Sequence, residues 1–314
     1  PRGFGPLSLA TPHRGIGEVT VTRQHPHKSP ASIYLSLALV AALGVTVTAT
    51  TAAQQTIKLS DNETFTADAS NTSETTRFDA FEKSGVELRI GRNLLSEFNT
   101  PIIFSGAESS IVRILSGGEL KNNSGQGRAV NYNAGSSLKL QNKGKIISQG
   151  LAIDAGNAKN LEIVNDRNAV ISSPVKSINV NRSGGKIINA GLIESDTEST
   201  ITQGEGGGDA SIEISNTGTI SGSQKTIFLK FSENSTVTNS GTIESKNDTA
   251  IRFGGEDNPT FGILRPAGFQ LTNSGIIKAT GTYAIRGSYA EDAFIANTAD
   301  GIIEANEKVV DLGN

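Results

Sequence analysis

The side chains that could activate a nucleophile or bind zinc are confined to one end of the sequence. All three histidines, His13, His25 and His27, lie near the start of the chain, and the chain contains no cysteine. A Ser-His-Asp nucleophile, a Cys-His nucleophile and a histidine-based zinc site all require these residue types. If residues 1–53 are removed as a leader, as we predict below, the remaining sequence cannot build any of these sites.

Carboxylates are the other residues that could do chemistry, because polysaccharide lyases and hydrolases with β-helical folds use converging carboxylates for calcium binding or acid–base catalysis. We interpret them instead as solvated turn residues, since they fall mostly at predicted corners of the chain. The segment 204–212 resembles a glycine-and-aspartate calcium repeat but occurs only once, whereas such sites are shared between successive turns. We therefore predict no catalytic residue, no cofactor and no metal. The carboxylates concerned are Asp154, Asp166, Asp196, Asp209, Asp248, Glu256 and Asp257.

A repeat between residues 140 and 305 defines the elements that would position any site. Each copy has an aliphatic residue, any residue, an asparagine and then, a little further on, Gly-x-Ile. The spacings between successive asparagines are 23, 24, 27, 23, 34 and 24 residues. A period near 24 with longer outliers is typical of a solenoid whose rungs tolerate insertions. The seven asparagines are Asn142, Asn165, Asn189, Asn216, Asn239, Asn273 and Asn297.

Three apolar positions accompany each asparagine. The residue two positions before it is aliphatic in every copy. Glycine and isoleucine follow at the second and fourth positions after it in five copies. In the second copy we place Asn168 and Val170 there, because asparagine adopts left-handed backbone more readily than other non-glycine residues, and in the last copy we place Gly301 and Ile303. A third apolar position follows 11 to 13 residues after the asparagine, filled by Ile153, Ile178, Ile201, Ile227, Ile251, Ile285 and Val310.

These patterns predict an all-β fold, a parallel β-helix with rungs of about 24 residues and three short strands in each rung. Thr, Ser, Asn and Gly are poor helix formers, and the region shows no sustained 3.6-residue period. We predict that the seven asparagines form a structural ladder. An inward amide at a tight corner can bond to the backbone and to the equivalent asparagine of the next rung, which avoids a buried polar group without a partner.

The amino-terminal region has the pattern of a secretory leader. Its apolar core, residues 33–47, is shorter than the roughly 20 residues that a membrane-spanning helix needs. Arg23 and Lys28 precede this core and small residues follow it, which is the order of a signal peptide, so we predict cleavage after Ala53. The alternative is a permanent amino-terminal anchor. We predict that the exported chain lies at the cell surface or outside the cell.

The remaining sequence divides into two predicted regions. Residues 54–118 contain apolar alternation off the 24-residue period, and we interpret them as an amino-terminal cap with irregular first rungs. Residues 119–314 are interpreted as β-helix repeats, which begin with a degenerate rung containing Leu120, Asn122 and Val130. Because the sequence stops directly after the strand around Val310, we interpret the repeat as truncated there.

The charge of the chain gives no reason to expect nucleic acid as a partner. Four of the 28 basic residues and one of the 31 acidic residues lie in 1–53, which leaves 24 basic and 30 acidic residues in the rest of the chain. A mildly acidic rod has no general electrostatic attraction for a polyanion such as DNA.

Three repeat segments resemble the passenger repeats of autotransporters, the type V secreted proteins of Gram-negative bacteria. They read LTNSGIIKATGTYAIRG (271–287), VTNSGTIESKNDTAIRF (237–253) and ISNTGTISGSQKTIFLK (214–230), and the resemblance covers about 120–314. It implies a right-handed β-helical passenger that an outer-membrane translocator barrel carries to the cell surface. The barrel is absent from this sequence. The resemblance further implies adhesion to host-surface or matrix molecules, or self-association with like passengers.

Two insertions interrupt the repeat at the same predicted corner. From the third apolar position to the next rung the usual gap is 9 or 10 residues, but two gaps measure 13 and 20. We predict that the longer one, 254–269, is a recognition loop, since function on repeat scaffolds tends to sit in loops on one face. The alternative is that its side chains fold back over the corner. Its candidate contact residues are Glu256, Asp257, Phe261, Leu264, Arg265 and Phe269.

The sequence thus favours a secreted or surface-displayed adhesin-like module without catalysis. One alternative is a carbohydrate-active β-helix enzyme, a lyase or hydrolase, which would require carboxylates clustered on one face. Another is a stand-alone filamentous protein whose rods pair laterally through rows of Ser, Thr and Asn.

Overall fold

The computed structural model describes residues 7–9, 19–21, 34–37, 47–50 and 55–313, without 69, 71, 73–75, 97–99, 182–183, 204–210, 231, 256, 259–261 and 264–266. All regular secondary structure in these ranges is β-strand, which confirms the predicted all-β class. The chain forms two compact units, Pro1–Gln55 and Thr56–Asn314.

The first unit contains two antiparallel strand pairs. They join Leu7–Leu9 to Val19–Val21 and Tyr34–Leu37 to Val47–Thr50. The predicted cleavage site after Ala53 lies outside the described residues.

The second unit is a parallel β-solenoid of about 9 turns with roughly 25 residues per turn, which confirms the predicted β-helix. Three long parallel sheets run along it, and we number them in the order in which the sequence repeat visits them. Sheet 1 consists of Thr64–Ala67, Glu87–Ile90, Ile111–Ile114, Lys139–Asn142, Leu161–Asn165, Gly185–Asn189, Ile212–Asn216, Thr236–Asn239, Gln270–Asn273 and Phe294–Asn297. Sheet 2 consists of Asn93–Ser96, Glu119–Asn122, Lys145–Ser148, Val170–Ser173, Leu192–Ser195, Thr219–Gly222, Thr242–Ser245, Ile276–Ala279 and Ile302–Ala305.

The third face and the corners complete the rungs. Sheet 3 consists of Thr56–Lys58, Arg77–Asp79, Ile102–Ile103, Arg128–Asn131, Leu151–Asp154, Ile178–Asn179, Ile201–Gln203, Ile227–Lys230, Thr249–Gly254, Tyr283–Ser288 and Lys308–Asp311. A short sheet 4 adds a fourth side to three rungs with Ala107–Glu108, Gly135–Ser136 and Ala158–Lys159. A small antiparallel pair, Asp257–Asn258 with Gly262–Ile263, lies in the longer insertion.

The register of the sheets confirms most of the predicted repeat. All seven asparagines pair with one another through sheet 1. The third apolar positions, from Ile153 to Val310, pair in the same way through sheet 3. Ile303 pairs with Ile277 in sheet 2, so the placement of the last rung is also confirmed.

Two placements from the sequence are wrong. In the second rung Ile171, not Val170, pairs with Ile146, so Ala169 rather than Asn168 occupies the position of the glycine. Asn168 does adopt left-handed backbone, with φ of 67°, but in the turn before that position. Asn122 pairs with Ser148 in sheet 2 and is therefore not part of the sheet 1 asparagine column, although it follows an aliphatic residue with the correct spacing.

The repeated glycines are required for close backbone approach rather than for left-handed φ. A Cβ atom on Gly218 would lie 2.2 Å from the carbonyl oxygen of Gly191, and one on Gly241 would lie 2.1 Å from that of Gly218. Neither residue has a positive φ. At these two positions the backbones of neighbouring rungs are so close that a side chain does not fit.

The rungs before residue 119 use the same three sheets. Ile111–Ile114 pairs residue by residue with Lys139–Asn142, and Glu87–Ile90 pairs with Ile111–Ile114. The core inside the rungs is a stack of buried aliphatic side chains, with large aromatic residues added in the amino-terminal turns and again at Phe253 and Phe269. The interpretation of 54–118 as a cap stays a prediction.

Candidate functional site

The asparagine ladder is one continuous chain of side-chain hydrogen bonds. Each Nδ2 donates to the Oδ1 of the asparagine in the following rung, at 2.8 Å for five of the bonds and 2.7 Å for the last. The first six side chains are buried, and Asn297 is exposed. Most of the amides donate a further bond to the backbone, as from Asn189 to the carbonyl oxygen of Thr219 at 3.0 Å. These amides are neutral and engaged with the protein itself, so the arrangement supports a structural role.

A second buried polar stack, which the sequence reasoning missed, lies where sheet 2 ends and the chain turns toward sheet 3. Serines occupy the last position of most sheet 2 strands, and their hydroxyls bond to nearby groups of the same corner. Ser195 donates to the carbonyl oxygen of Glu198 at 2.9 Å and lies 2.8 Å from the Thr200 hydroxyl. The sequence carries a signal for this stack, because serine follows the Gly-x-Ile isoleucine by two positions at Ser148, Ser195 and Ser245, and Ser173 follows Ile171 with the same spacing.

The predicted turn carboxylates do not share one environment. Asp154 is wrong as a solvated turn residue, since it ends a sheet 3 strand, its side chain is only 7% exposed, and it forms an ion pair with Arg128. Asp166 and Asp248 pair with lysines at 3.8 and 3.5 Å. Asp196 is exposed, and Asp209 and Glu256 lie outside the described residues. The described part of the chain contains no group of three His, Cys, Asp or Glu residues that could hold a metal ion.

The predicted recognition loop is only partly within the described residues. Glu256, Phe261, Leu264 and Arg265 lie outside them, and the backbone of Asp257 belongs to the small antiparallel pair. Phe269 is 3% exposed. It is therefore a core residue, as the alternative of side chains folding back predicted, and it is not placed to contact a ligand.

The base of this insertion is firmly built. The Phe269 ring stacks on Phe253, with 3.8 Å between centroids and 15° between planes. The insertion departs at Gly254, whose φ of 103° and whose Cβ distance of 2.0 Å from the carbonyl oxygen of Ser288 both require glycine. Gly287 leaves room beneath Phe253, since a Cβ there would lie 2.7 Å from that ring. The strand before the insertion and the strand after it are thus joined in the core.

The outer face of sheet 3 near the carboxyl end carries a cluster of cations and aromatic rings, which we call the basic strip. The Arg252 guanidinium lies 5.3 Å from the Phe228 ring centroid, and the Arg286 guanidinium lies 4.8 Å from that of Tyr283. Lys225 and Lys308 contact the same two rings at 5.5 and 5.7 Å. The sequence reasoning missed this strip, although Phe228, Arg252 and Arg286 each directly follow a third apolar position of the repeat.

Sheet 1 contains a second pair of arginines on neighbouring strands. Arg89 and Arg113 pair across the sheet, and their Nε atoms both donate to Oε1 of Glu87, at 2.9 and 2.7 Å. Hydrogen bonds from Arg89 and then Arg113 hold the pKa of Glu87 below its ordinary value of 4.5. The carboxylate thereby bridges two guanidinium groups that would otherwise repel each other and compensates one of their two charges.

Comparison with known proteins found no match to this chain among protein-family models, curated proteins or solved structures. Within the described residues, no helix is long and apolar enough to cross a membrane.

Proposed function

We propose that the chain is an exported, surface-displayed recognition module of the autotransporter passenger type, which serves adhesion or self-association. Its partners would be host-surface or matrix molecules or like passengers. The resemblance of the repeat segments to passenger repeats motivates this proposal, and the solenoid fold is compatible with it.

The observation that carries the proposal is the position of the two insertions. Residues 204–210 follow the sheet 3 strand Ile201–Gln203, and residues 256–266 follow the sheet 3 strand Thr249–Gly254, so both insertions begin after a strand of the same sheet. The strands between these points carry the regular buried columns of the repeat. Segments that depart from a regular scaffold at one corner are where repeat proteins tend to bind partners.

The longer insertion is the better candidate because its base is fixed. The stack of Phe253 on Phe269 anchors both ends of the segment in the core. An anchored base reduces the conformational entropy that a binding loop loses when it contacts a partner.

The test is removal of each insertion from the full chain. Beads coated with the chain are scored for attachment to matrix-coated surfaces and to cultured epithelial cells, and for clustering with one another. Replacing 256–266 by a short Gly-Ser link retains Phe253 and Phe269, and we expect it to weaken attachment or clustering at least about tenfold. Replacing 204–210 in the same way tests the shorter insertion, for which we expect a smaller loss of attachment or clustering.

Two outcomes would contradict the proposal. One is a wild-type chain that neither attaches nor clusters. The other is unchanged attachment and clustering after removal of 256–266, in a variant whose thermal unfolding matches that of the wild type.

A further inference from the structure

The outer face of sheet 1 changes its chemistry along the solenoid. In the amino-terminal rungs it carries charged side chains that contact one another, as where Arg113 donates to Glu87 at 2.7 Å. Lys186 and Glu213, 2.6 Å apart, form the last such pair in the described strands of this sheet. In the three sheet 1 strands that follow Glu213, every outward residue is uncharged.

These three strands present a surface that we call the neutral face. Its residues alternate along each strand with the inward aliphatic and asparagine columns, and they pair from rung to rung. Thr238, Gln270 and Thr272 are exposed, and Thr236 is half-buried. The neutral face consists of two rows that run along the axis, Thr236 with Gln270 and Phe294, and Thr238 with Thr272 and Ala296.

The polar side chains of the neutral face are not engaged by the protein itself. Within the part of the chain that the structure describes, its three threonine hydroxyls and the amide of Gln270 form no hydrogen bond. Gln141, which lies on the same face of the sheet in an earlier rung, instead accepts a hydrogen bond from Arg113. Hydroxyl and amide groups both donate and accept, so the neutral face offers both functions to a ligand.

An exposed aromatic ring lies in line with these polar groups. Phe294 is 60% exposed and pairs directly with Gln270. Covering an aromatic ring is favourable, and its negative face attracts the partially positive C–H groups of a sugar ring. Sugars combine such C–H faces with hydroxyl groups at the ring edge, so one ligand class satisfies both the ring and the polar groups beside it.

We propose that the neutral face binds a neutral, extended, β-linked polysaccharide that runs along the solenoid axis. One sugar ring packs on Phe294, and hydroxyl groups of the next sugars bond to Gln270 and Thr236. Neighbouring strands lie about 4.8 Å apart, close to the advance of one sugar unit along an extended β-linked chain, so successive sugars meet successive rungs. An uncharged face suits an uncharged polymer.

This binding goes beyond the proposed recognition function and does not depend on it. The neutral face lies on strands of sheet 1, whereas the proposed recognition segments are the insertions 204–210 and 256–266, which follow strands of sheet 3.

A second copy of the chain is the other candidate occupant, and the size of the neutral face disfavours it. Three strands of four residues present roughly 200 Å², from the spacing of strands and the rise per residue. A stable protein interface buries about 800 Å² on each partner. A dimer would therefore also have to bury the charged rungs beside the neutral face, whereas a few sugar rings fit within it.

The test is titration calorimetry of the full chain with neutral β-1,4-linked hexasaccharides of glucose, mannose and N-acetylglucosamine. The wild type should bind at least one of them. Phe294→Ala should weaken the binding of that sugar about tenfold, because the sugar loses the ring on which it packs. Gln270→Ala and Thr272→Val should each weaken it about three- to tenfold through the loss of one hydrogen bond.

Two control variants change the same residue types outside the neutral face. Phe81→Ala removes a ring that is 53% exposed, and Gln141→Ala removes an amide that Arg113 already engages, so both should bind sugar as the wild type does. Phe294→Tyr keeps an aromatic ring and should retain binding, which separates the loss of the ring from a loss of folding. Thermal unfolding of every variant is measured alongside.

Three results would overturn the proposal. The first is a wild type that binds none of the three hexasaccharides, and the second is an affinity in Phe294→Ala no lower than in Phe81→Ala. The third is a wild type that sediments as a dimer, is dissociated by Thr238→Arg and binds no sugar, which would assign the neutral face to self-pairing. Bead attachment that depends on 256–266 should persist in Phe294→Ala, so the two proposals fail independently.

Discussion

The amino-terminal and carboxyl-terminal rungs fill the same position of the sheet 1 strand with opposite chemistry. In the first three rungs this inward position holds Ala67, Ile90 and Ile114, which pair in one column. From Asn142 onward the same column continues with asparagine in every rung through Asn297. One backbone register therefore accepts either an apolar stack or a chain of amides.

The interior of the rungs changes together with this column. The amino-terminal rungs bury Phe78, Phe104 and Tyr132, and the Phe104 and Tyr132 rings meet edge to face at 5.9 Å. Burial raises the pKa of the Tyr132 phenol well above 10.0, so its neutral form is retained. The core of the later rungs is mostly isoleucine. Aromatic packing recurs through the first region, whereas the second has the stacked pair of Phe253 and Phe269 and a directed hydrogen bond between successive rungs throughout.

The largest effect should come from breaking the aromatic region. Phe104 is fully buried, so Phe104→Ala should lower the free energy of unfolding by about 3–5 kcal/mol through lost burial and an unfilled cavity. Phe81→Ala is the matched control, because Phe81 is 53% exposed and its loss should cost about 0.5 kcal/mol or less. Urea unfolding measures both, and equal costs would show that the aromatic packing does not distinguish this region.

A smaller effect should follow from extending the apolar column into the ladder. Asn216→Ile leaves Oδ1 of Asn239 without its donor and removes the Asn189 acceptor, so we expect a loss of about 2–4 kcal/mol in unfolding free energy. Asn142 lies next to Ile114 at the start of the ladder, so Asn142→Ile removes the hydrogen-bond donor of only one asparagine, Asn165. We therefore expect the unfolding free energy to fall by about half as much as in Asn216→Ile. Urea denaturation would contradict this interpretation if Asn142→Ile lowered the unfolding free energy more than Asn216→Ile.

The smallest effect concerns the charges of the amino-terminal rungs. Because the folded-state pKa of Glu87 lies below 4.5, its carboxylate contributes stability above that pH and loses it as the pH falls through the folded value. Glu87→Gln should therefore lower unfolding free energy by about 0.5–1 kcal/mol at neutral pH and flatten the acid limb of the stability curve. Glu162→Gln is a control from a more exposed pair, and an identical acid limb in the wild type and Glu87→Gln would refute the assignment.

The parts of the fold that the sequence predicted are those that require the same residue in each rung. An amide ladder forms only if asparagine recurs in each rung, so its column could be predicted from the sequence. Any apolar side chain suits the column of Ala67, Ile90 and Ile114, so that column could not. Asn122 matched the pattern of the sheet 1 asparagines although it lies in sheet 2, because an aliphatic residue precedes it by two positions there as well. In the second rung an inserted residue left both Asn168 and Ala169 as candidates for the glycine position, because the local sequence does not say which peptide approaches the neighbouring rung.

The candidate sites were harder to predict because they depend on contacts between distant residues. The burial of Phe269 follows from the ring of Phe253 and the space above Gly287, neither of which the loop sequence contains. The basic strip joins residues of successive rungs, and only the sheet 3 register brings Arg252 beside Arg286.

The asparagine ladder also has a polarity. Each of its six bonds points from an Nδ2 to the Oδ1 of the following rung, so the amide dipoles align head to tail along the axis, and such chains strengthen one another. A rung that has already folded offers the next one an oriented donor beside an open strand edge. A strand displaced by one residue would turn its asparagine outward and forfeit that bond. Growth of the solenoid from the amino terminus would thus be vectorial, with each rung selecting the alignment of its successor.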